Sequence, residues 1–265
     1  MPWFDCGVNL TSSRFADGVD QVIARADAAG VTRLLVIGTN LEHSRAAIAL
    51  CEQFPGQLAA TVGIHPHDAA AVPADYLDQL AELAGHPAVV AIGECGLDFN
   101  RNFSPQDQQR RVFQAQLDLA AKVGKPVYLH ERDALDDQLK ILKNYQHTVP
   151  KMLAHCFTGG REALAAYLKL DCFIGITGWV CDERRGQELR AAVPLIPADK
   201  LVLETDAPFL IPRTLKPRPA MNEPCWLPEI AEVVAGLRQQ SVAELAEQTW
   251  QVSHDLFAAK AWRRP

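Results

Sequence analysis

Eight short apolar runs recur along the chain, at 3–8, 33–39, 58–64, 88–94, 126–131, 151–156, 172–177 and 201–206. They are rich in Val, Ile, Leu and Ala and too short for helices, which is the character of strands covered on both faces. Stretches of helical periodicity lie between and after them. Residues 17–30 start on Asp17 as a cap and stop at Gly30, 41–54 stop before Pro55, and 73–85 open with Pro73 and close with Gly85. Residues 104–124 follow Ser104-Pro105 and end in Gly124. Such residues start and stop helices for known reasons. The later helical stretches are 133–145, 161–170, 183–193, 227–237 and 241–258. Strands that alternate with helices pair in parallel through crossovers. Eight such units predict an α/β chain folded as a TIM (β/α)8 barrel, one domain over 1–265. A doubly wound open sheet is the alternative, but no GxGxxG follows the first strand. The Pro-dense stretch 208–228 is expected to be an irregular loop after the last strand.

The polar residues that end these runs carry the chemistry. VVAIGECGLD holds Glu94, KPVYLHERD holds His130, PKMLAHCFTG holds His155 and KLVLETDAP holds Asp206. In a barrel the carboxyl ends of the strands form the active-site face. Two imidazoles and two carboxylates converging there suit a divalent cation such as Zn²⁺, Mn²⁺ or Mg²⁺. No pair among them has helical HxxxH spacing, so the ligands come from different strands.

GIHPHDA adds His65 and His67, which share strand parity on either side of Pro66. They could bind metal, donate to a phosphate oxygen or protonate a leaving group; the bland reading is a turn-capping pair. The first strand carries Asp5, Gly7 and Asn9 on one face. Asp5 and Asn9 could ligate weakly, or Asn9 could cap the following turn. Among the basic residues near strand ends, Arg132 and Arg213 are singled out as phosphate contacts, since guanidinium matches phosphate geometry. Trp179 could stack on a base or simply pack in a loop.

Composition narrows the partner. The net charge is −6, without the broad basic surface of a duplex-coating protein, so phosphate binding must be local. The 7 Cys are dispersed with no CxxC, and no secretory leader or run of about 18 apolar residues appears. A soluble, cytoplasmic enzyme with reduced thiols is expected.

The strings FDCGVNLTSSRF, GTNLEHSRAAIAL, GIHPHD, AIGECGLDFNRNFSPQDQQRRVFQAQL, HCFTGGRE, IGITGWVCDERRG, LVLETDAPFL and NEP resemble the TatD family of metal-dependent deoxyribonucleases, from residue 4 to about 258. The resemblance implies a TIM barrel of the metallo-dependent hydrolase type. It implies that Glu94 is the central or bridging carboxylate and that His130 and His155 hold the same cation. Asp206 would ligate a second cation or orient the attacking water. Most members carry DxHxH on the first strand, where this chain has Asp5, Gly7 and Asn9. Members that share this departure imply a Mg²⁺-dependent 3′–5′ exonuclease on single-stranded DNA and RNA, linked to repair of oxidative DNA damage.

The expected reaction is metal-assisted hydrolysis at single-stranded DNA or RNA ends by a monomer away from membranes. One tight cation would sit on Glu94, His130 and His155, and a weaker one would lean on Asp5, Asn9, Glu94 and Asp206. His65, His67 and Arg132 would balance phosphate charge. Two rivals remain: a metal-dependent amidohydrolase or esterase, such as an aminoacyl-tRNA deacylase, and a non-enzymatic quality-control protein.

Overall fold

Strand and helix alternate up to the last strand of the computed structural model, which describes residues 2–16, 18–257 and 262. The strands are β1 (Trp3–Val8), β2 (Val31–Val36), β3 (Leu58–Val62), β4 (Val89–Asp98), β5 (Val127–Arg132), β6 (Met152–Ala154), β7 (Phe173–Ile176) and β8 (Leu201–Leu203). They form one sheet in the order β1-β2-β3-β4-β5-β6-β7-β8. The helices are α1 (Val19–Ala28), α2 (Leu41–Gln53), α3 (Tyr76–Ala84), α4 (Gln106–Val123), α5 (Leu135–Leu142), α6 (Arg161–Lys169), α7 (Gln187–Ala192), α8 (Leu227–Arg238) and α9 (Val242–Leu256). This is the (β/α)8 barrel class that the alternation predicts. The expected cap Asp17 and the expected last helical residue, Ala258, lie outside the described residues. No helix among the described residues is long and apolar enough to cross a membrane.

The chain forms two compact units. The first comprises 1–36, 156–165 and 174–256. In it β1 pairs parallel with β2, and β7 with β8. The end of β8 meets the end of β1: Asp206 N–H donates to Gly7 O at 2.9 Å, and Asn9 N–H to Ala207 O at 2.8 Å. The second comprises 37–155, 166–173 and 257–265, with β3, β4, β5 and β6 paired parallel in turn. Its strands β3, β4 and β6 are buried at every position, and β5 over its first three residues.

β4 runs four residues past Glu94, further than its sequence suggests. Gly96 makes this possible. Its φ is +147°, and a Cβ there would lie 1.9 Å from the His130 carbonyl oxygen. Only glycine lets the two backbones approach so closely. Two glutamines of α4 then hold the strand ends. Gln116 accepts from Ile64 N–H at 2.7 Å and donates to Ile64 O at 3.0 Å. Gln109 accepts from Asp98 N–H at 2.8 Å and donates to Asp98 O at 3.0 Å. The two lie seven residues apart on one helix face, and both are fully buried. Their amides satisfy backbone groups that the sheet leaves unpaired.

Candidate metal centre and neighbouring carboxylates

Glu94, His65, His130 and His155 converge in the second unit. Glu94 lies in β4 and His130 in β5, while His155 follows directly on β6 and His65 lies in the loop after β3. Glu94 Oε1 is 2.8 Å from His130 Nδ1, 3.5 Å from His65 Nε2 and 3.9 Å from His155 Nε2. The carboxylate is 6 % exposed. Burial alone would raise its pKa, but the three imidazoles hold it well below the usual carboxylate range.

Each imidazole is held differently. His155 Nδ1 sits 2.5 Å from Tyr128 Oη, which leaves Nε2 toward Glu94. His130 Nδ1 faces Glu94, while its buried Nε2 lies 3.5 Å from Asp98 Oδ2. Burial would push His130 down, yet the carboxylates of Asp98 and Glu94 carry it up to about 9. His65 Nδ1 accepts from the His67 backbone N–H at 3.1 Å. Burial lowers the pKa of His65, and a ring that accepts at Nδ1 carries its proton on Nε2. His65 therefore presents an N–H donor toward Glu94. Of the three roles open to it from sequence, donation to an anion fits this tautomer.

Asp98 and Tyr128 escaped the sequence reading. Asp98 is 3 % exposed, accepts from the backbone N–H groups of Asn100 and Arg101 at 3.0 and 2.8 Å, and lies 2.6 Å from His67 Nε2. Burial opposes its charge, but the His130 ring, the Arg101 N–H and the His67 ring outweigh it and hold it well below the usual range. Strand parity was the available signal: Asp98 shares a face with Glu94, and Tyr128 shares one with His130. Arg132, at the end of β5, is exposed and pairs in register with Asp98.

The donor set fits a divalent cation. Ligands held at about 2.1 Å in a tetrahedron lie about 3.4 Å from one another, the scale of the spacings around Glu94 Oε1. The contact of His155 Nδ1 with Tyr128 is of the kind that orients a ligating imidazole. His65, Glu94 and His130 each offer a ligand atom within 4.8 Å of the others, and His155 Nε2 stands 3.9 Å from Glu94 Oε1.

The first unit carries the remaining candidates. Asp206, at φ +52°, follows β8, and its Oδ1 accepts from Asn9 Nδ2 at 3.0 Å. Asn9 therefore directs its amide nitrogen at Asp206, and only its carbonyl oxygen is of ligand type. Asp5 is fully buried. Its Oδ1 accepts from Thr205 N–H at 2.9 Å and Gly7 N–H at 3.2 Å, and its Oδ2 contacts Thr205 Oγ1 at 2.5 Å. Both of its oxygens are thus committed to the turn after β8. Buried Glu204, also missed from sequence, accepts from Cys156 N–H at 2.9 Å. Arg213 Nε lies 2.9 Å from Asp182 Oδ2.

Parallel strands presenting glutamate and histidine at their carboxyl ends define a hydrolase of the (β/α)8 class with a metal-type donor set. The chain belongs to the TatD related DNase family, whose model matches residues 4–258. It is 53% identical over 264 residues to the 3′-5′ ssDNA/RNA exonuclease TatD of Erwinia billingiae (strain Eb661), covering 99% of both chains. It is 52% identical over 248 residues to the protein of the same name from Klebsiella pneumoniae (strain 342), covering 93% of this chain and 94% of that one. Its fold matches the crystal structure of YjjV, a TatD homologue from Escherichia coli K12, with a TM-score of 0.89 at 27% identity, over 97% of this chain and 98% of that one.

Proposed function

We propose that this protein is a metal-dependent nuclease that hydrolyses phosphodiester bonds at the 3′ ends of single-stranded DNA and RNA. One observation carries the reading: a buried carboxylate, Glu94, ringed by the imidazoles of His65, His130 and His155. Full-length relatives bearing the exonuclease name support the substrate. A divalent cation on Glu94, His130 and His155 would polarise a phosphate oxygen and lower the pKa of a bound water.

The residues of the chain do the rest. Asp206 accepts the proton of the attacking water, with Asn9 holding its Oδ1 in place. His65 donates Nε2–H to a nonbridging phosphate oxygen. His67, pinned on Asp98, stands ready to pass a proton to the leaving oxygen. A second, weaker cation would rest on the oxygens of Asn9 and Asp206, and oxygen ligands favour Mg²⁺ or Mn²⁺ over Zn²⁺.

Metal-titrated digestion of a 5′-labelled single-stranded oligonucleotide tests the reading. A ladder shortening from the 3′ end, dependent on Mg²⁺ or Mn²⁺ and abolished by chelation, is expected. Turnover of ester or amide substrates with no cut in the oligonucleotide overturns it.

A further inference from the structure

A basic pocket in the first unit has no part in the chemistry above. Its volume is about 310 Å³, and Arg14, Trp179, Arg185, Phe209, Arg213 and Arg218 line it together with Asp182. Four guanidiniums against one carboxylate leave a surplus of three positive charges, in a chain whose net charge is −6. Such local concentration against the overall sign marks a site for a polyanion.

The pocket is built, not a chance crowding of surface arginines. Asp182 is 3 % exposed. Its Oδ1 accepts from the backbone N–H groups of Arg184 and Arg185 at 3.1 and 3.2 Å. Its Oδ2 holds Arg185 Nε at 2.8 Å and Arg213 Nε at 2.9 Å. Each pinned guanidinium keeps its terminal nitrogens for other acceptors. The Arg185 guanidinium lies 4.7 Å above the Trp179 ring, while Phe209 is 50 % exposed. A Cβ on Gly178 would meet Leu210 O at 2.2 Å, so the turn bearing Trp179 fits directly against the strap 208–213. That strap leaves Asp206 at once, with Phe209 N–H donating to Asp206 O at 2.9 Å. Arg14 Nη1 donates to Pro208 O at 3.4 Å and anchors the same strap.

We infer that this pocket holds the single strand on the 5′ side of the scissile linkage, its guanidiniums taking successive phosphates and its aromatic rings taking bases by stacking. The inference rests on the nuclease reading and names the part of the substrate that this surface binds. Three surplus charges exceed what one diester phosphate needs, and a released mononucleotide must leave at each turnover. Both favour the retained strand over the departing nucleotide. Stacking with phosphate contacts reads no base edge, so binding tolerates sequence.

Fluorescence anisotropy with metal-free full-length protein tests it, using 5′-fluorescein-labelled thymidine oligonucleotides of two, four and eight residues. Wild-type affinity should rise with length. For the longest strand, log K should fall against log salt with a slope of about −2 from this pocket, at about 0.7 per phosphate contacted. The double variant Arg185→Ala plus Arg218→Ala should weaken the longest strand at least tenfold and reduce the slope by about 1.4. The two-residue ligand should change less than twofold. Arg185→Lys plus Arg218→Lys should keep most of the salt slope, and thermal melting confirms that the variants fold. Equal loss for short and long ligands would assign the pocket to the departing nucleotide and overturn the inference. So would no loss for the longest strand, or no binding by the wild type. Digestion of the same oligonucleotides with added Mg²⁺ reports the nuclease reading separately. Length-dependent binding without cleavage would sink that reading and leave the pocket assignment standing.

Discussion

Tyr128 Oη lies 2.5 Å from His155 Nδ1, both side chains being buried. The hydroxyl fixes the ring so that Nε2 is the atom turned to Glu94. Removing it in Tyr128→Phe leaves the ring in place but frees its tautomer and orientation. Loss of such an outer partner reduces metal affinity by about 10- to 100-fold. Equilibrium dialysis against Mn²⁺ or Zn²⁺ measures this directly. Affinity equal to wild type in a folded Tyr128→Phe protein would remove His155 Nε2 from the ligand set.

Metal binding through His130, as proposed, is proton-linked. The carboxylates of Asp98 and Glu94 hold its imidazolium up to about 9, against burial, in the metal-free protein. A ligating imidazole must be neutral. Below that pKa each bound ion therefore displaces close to one proton from this ring, and affinity rises about tenfold per pH unit as pH climbs toward 9. Calorimetry in two buffers of different ionisation enthalpy counts the protons released. In Asp98→Asn one of the two supporting charges is gone, so His130 titrates lower and proton release at pH 8 shrinks. Unchanged release in Asp98→Asn would show that the proton comes from another group.

The barrel was legible because strands covered on both faces must be continuously apolar, which sets them apart from the amphipathic helices between. Glu94, His130 and His155 stood out because each follows a run of apolar residues toward the carboxyl end of its strand. Asp98 was hidden by Gly96, whose glycine reads as a turn and in fact serves a close approach between β4 and β5. The role of His65 depends on a backbone N–H two residues on, a contact that residue types do not reveal. Arg213 was visible as a candidate phosphate contact. The hub at Asp182 that pins it beside Arg185 joins residues from separate loops, and no local spacing encodes it.

Asp5 gives the fold a pH dependence of its own. Burial raises its pKa to about 7 from 3.8, although Thr205 and Gly7 donate to it. The folded state thus binds a proton that the unfolded chain has lost between those values. Stability should fall as pH rises from 4 through 7 and level off above, by about 4 kcal/mol in all. Asp5→Asn removes the ionisation. Urea midpoints for wild type and variant should diverge between pH 5 and 8, with the variant flatter. Parallel curves would place the buried proton elsewhere.

The Asn9–Asp206 hydrogen bond offers the sharpest test of catalytic role. Asn9 Nδ2 donates to Asp206 Oδ1 at 3.0 Å and to Ala207 O at 3.4 Å, so it fixes the carboxylate at the left-handed corner after β8. If Asp206 takes the water's proton, Asp206→Asn should lower kcat by about 10²- to 10⁴-fold, the range of a lost general base. Metal bound by Glu94, His130 and His155 should stay near wild type. Asn9→Ala should lower kcat less, about tenfold, with KM little changed, because a mobile carboxylate still reaches the water part of the time. The two effects should not add: once Asp206 is Asn, removing Asn9 takes away nothing further from the proton transfer. Steady-state rates of the two single variants and the double variant on a single-stranded oligonucleotide decide it. Fully additive losses would mean that Asn9 acts on its own, as a ligand or a substrate contact, and not through Asp206.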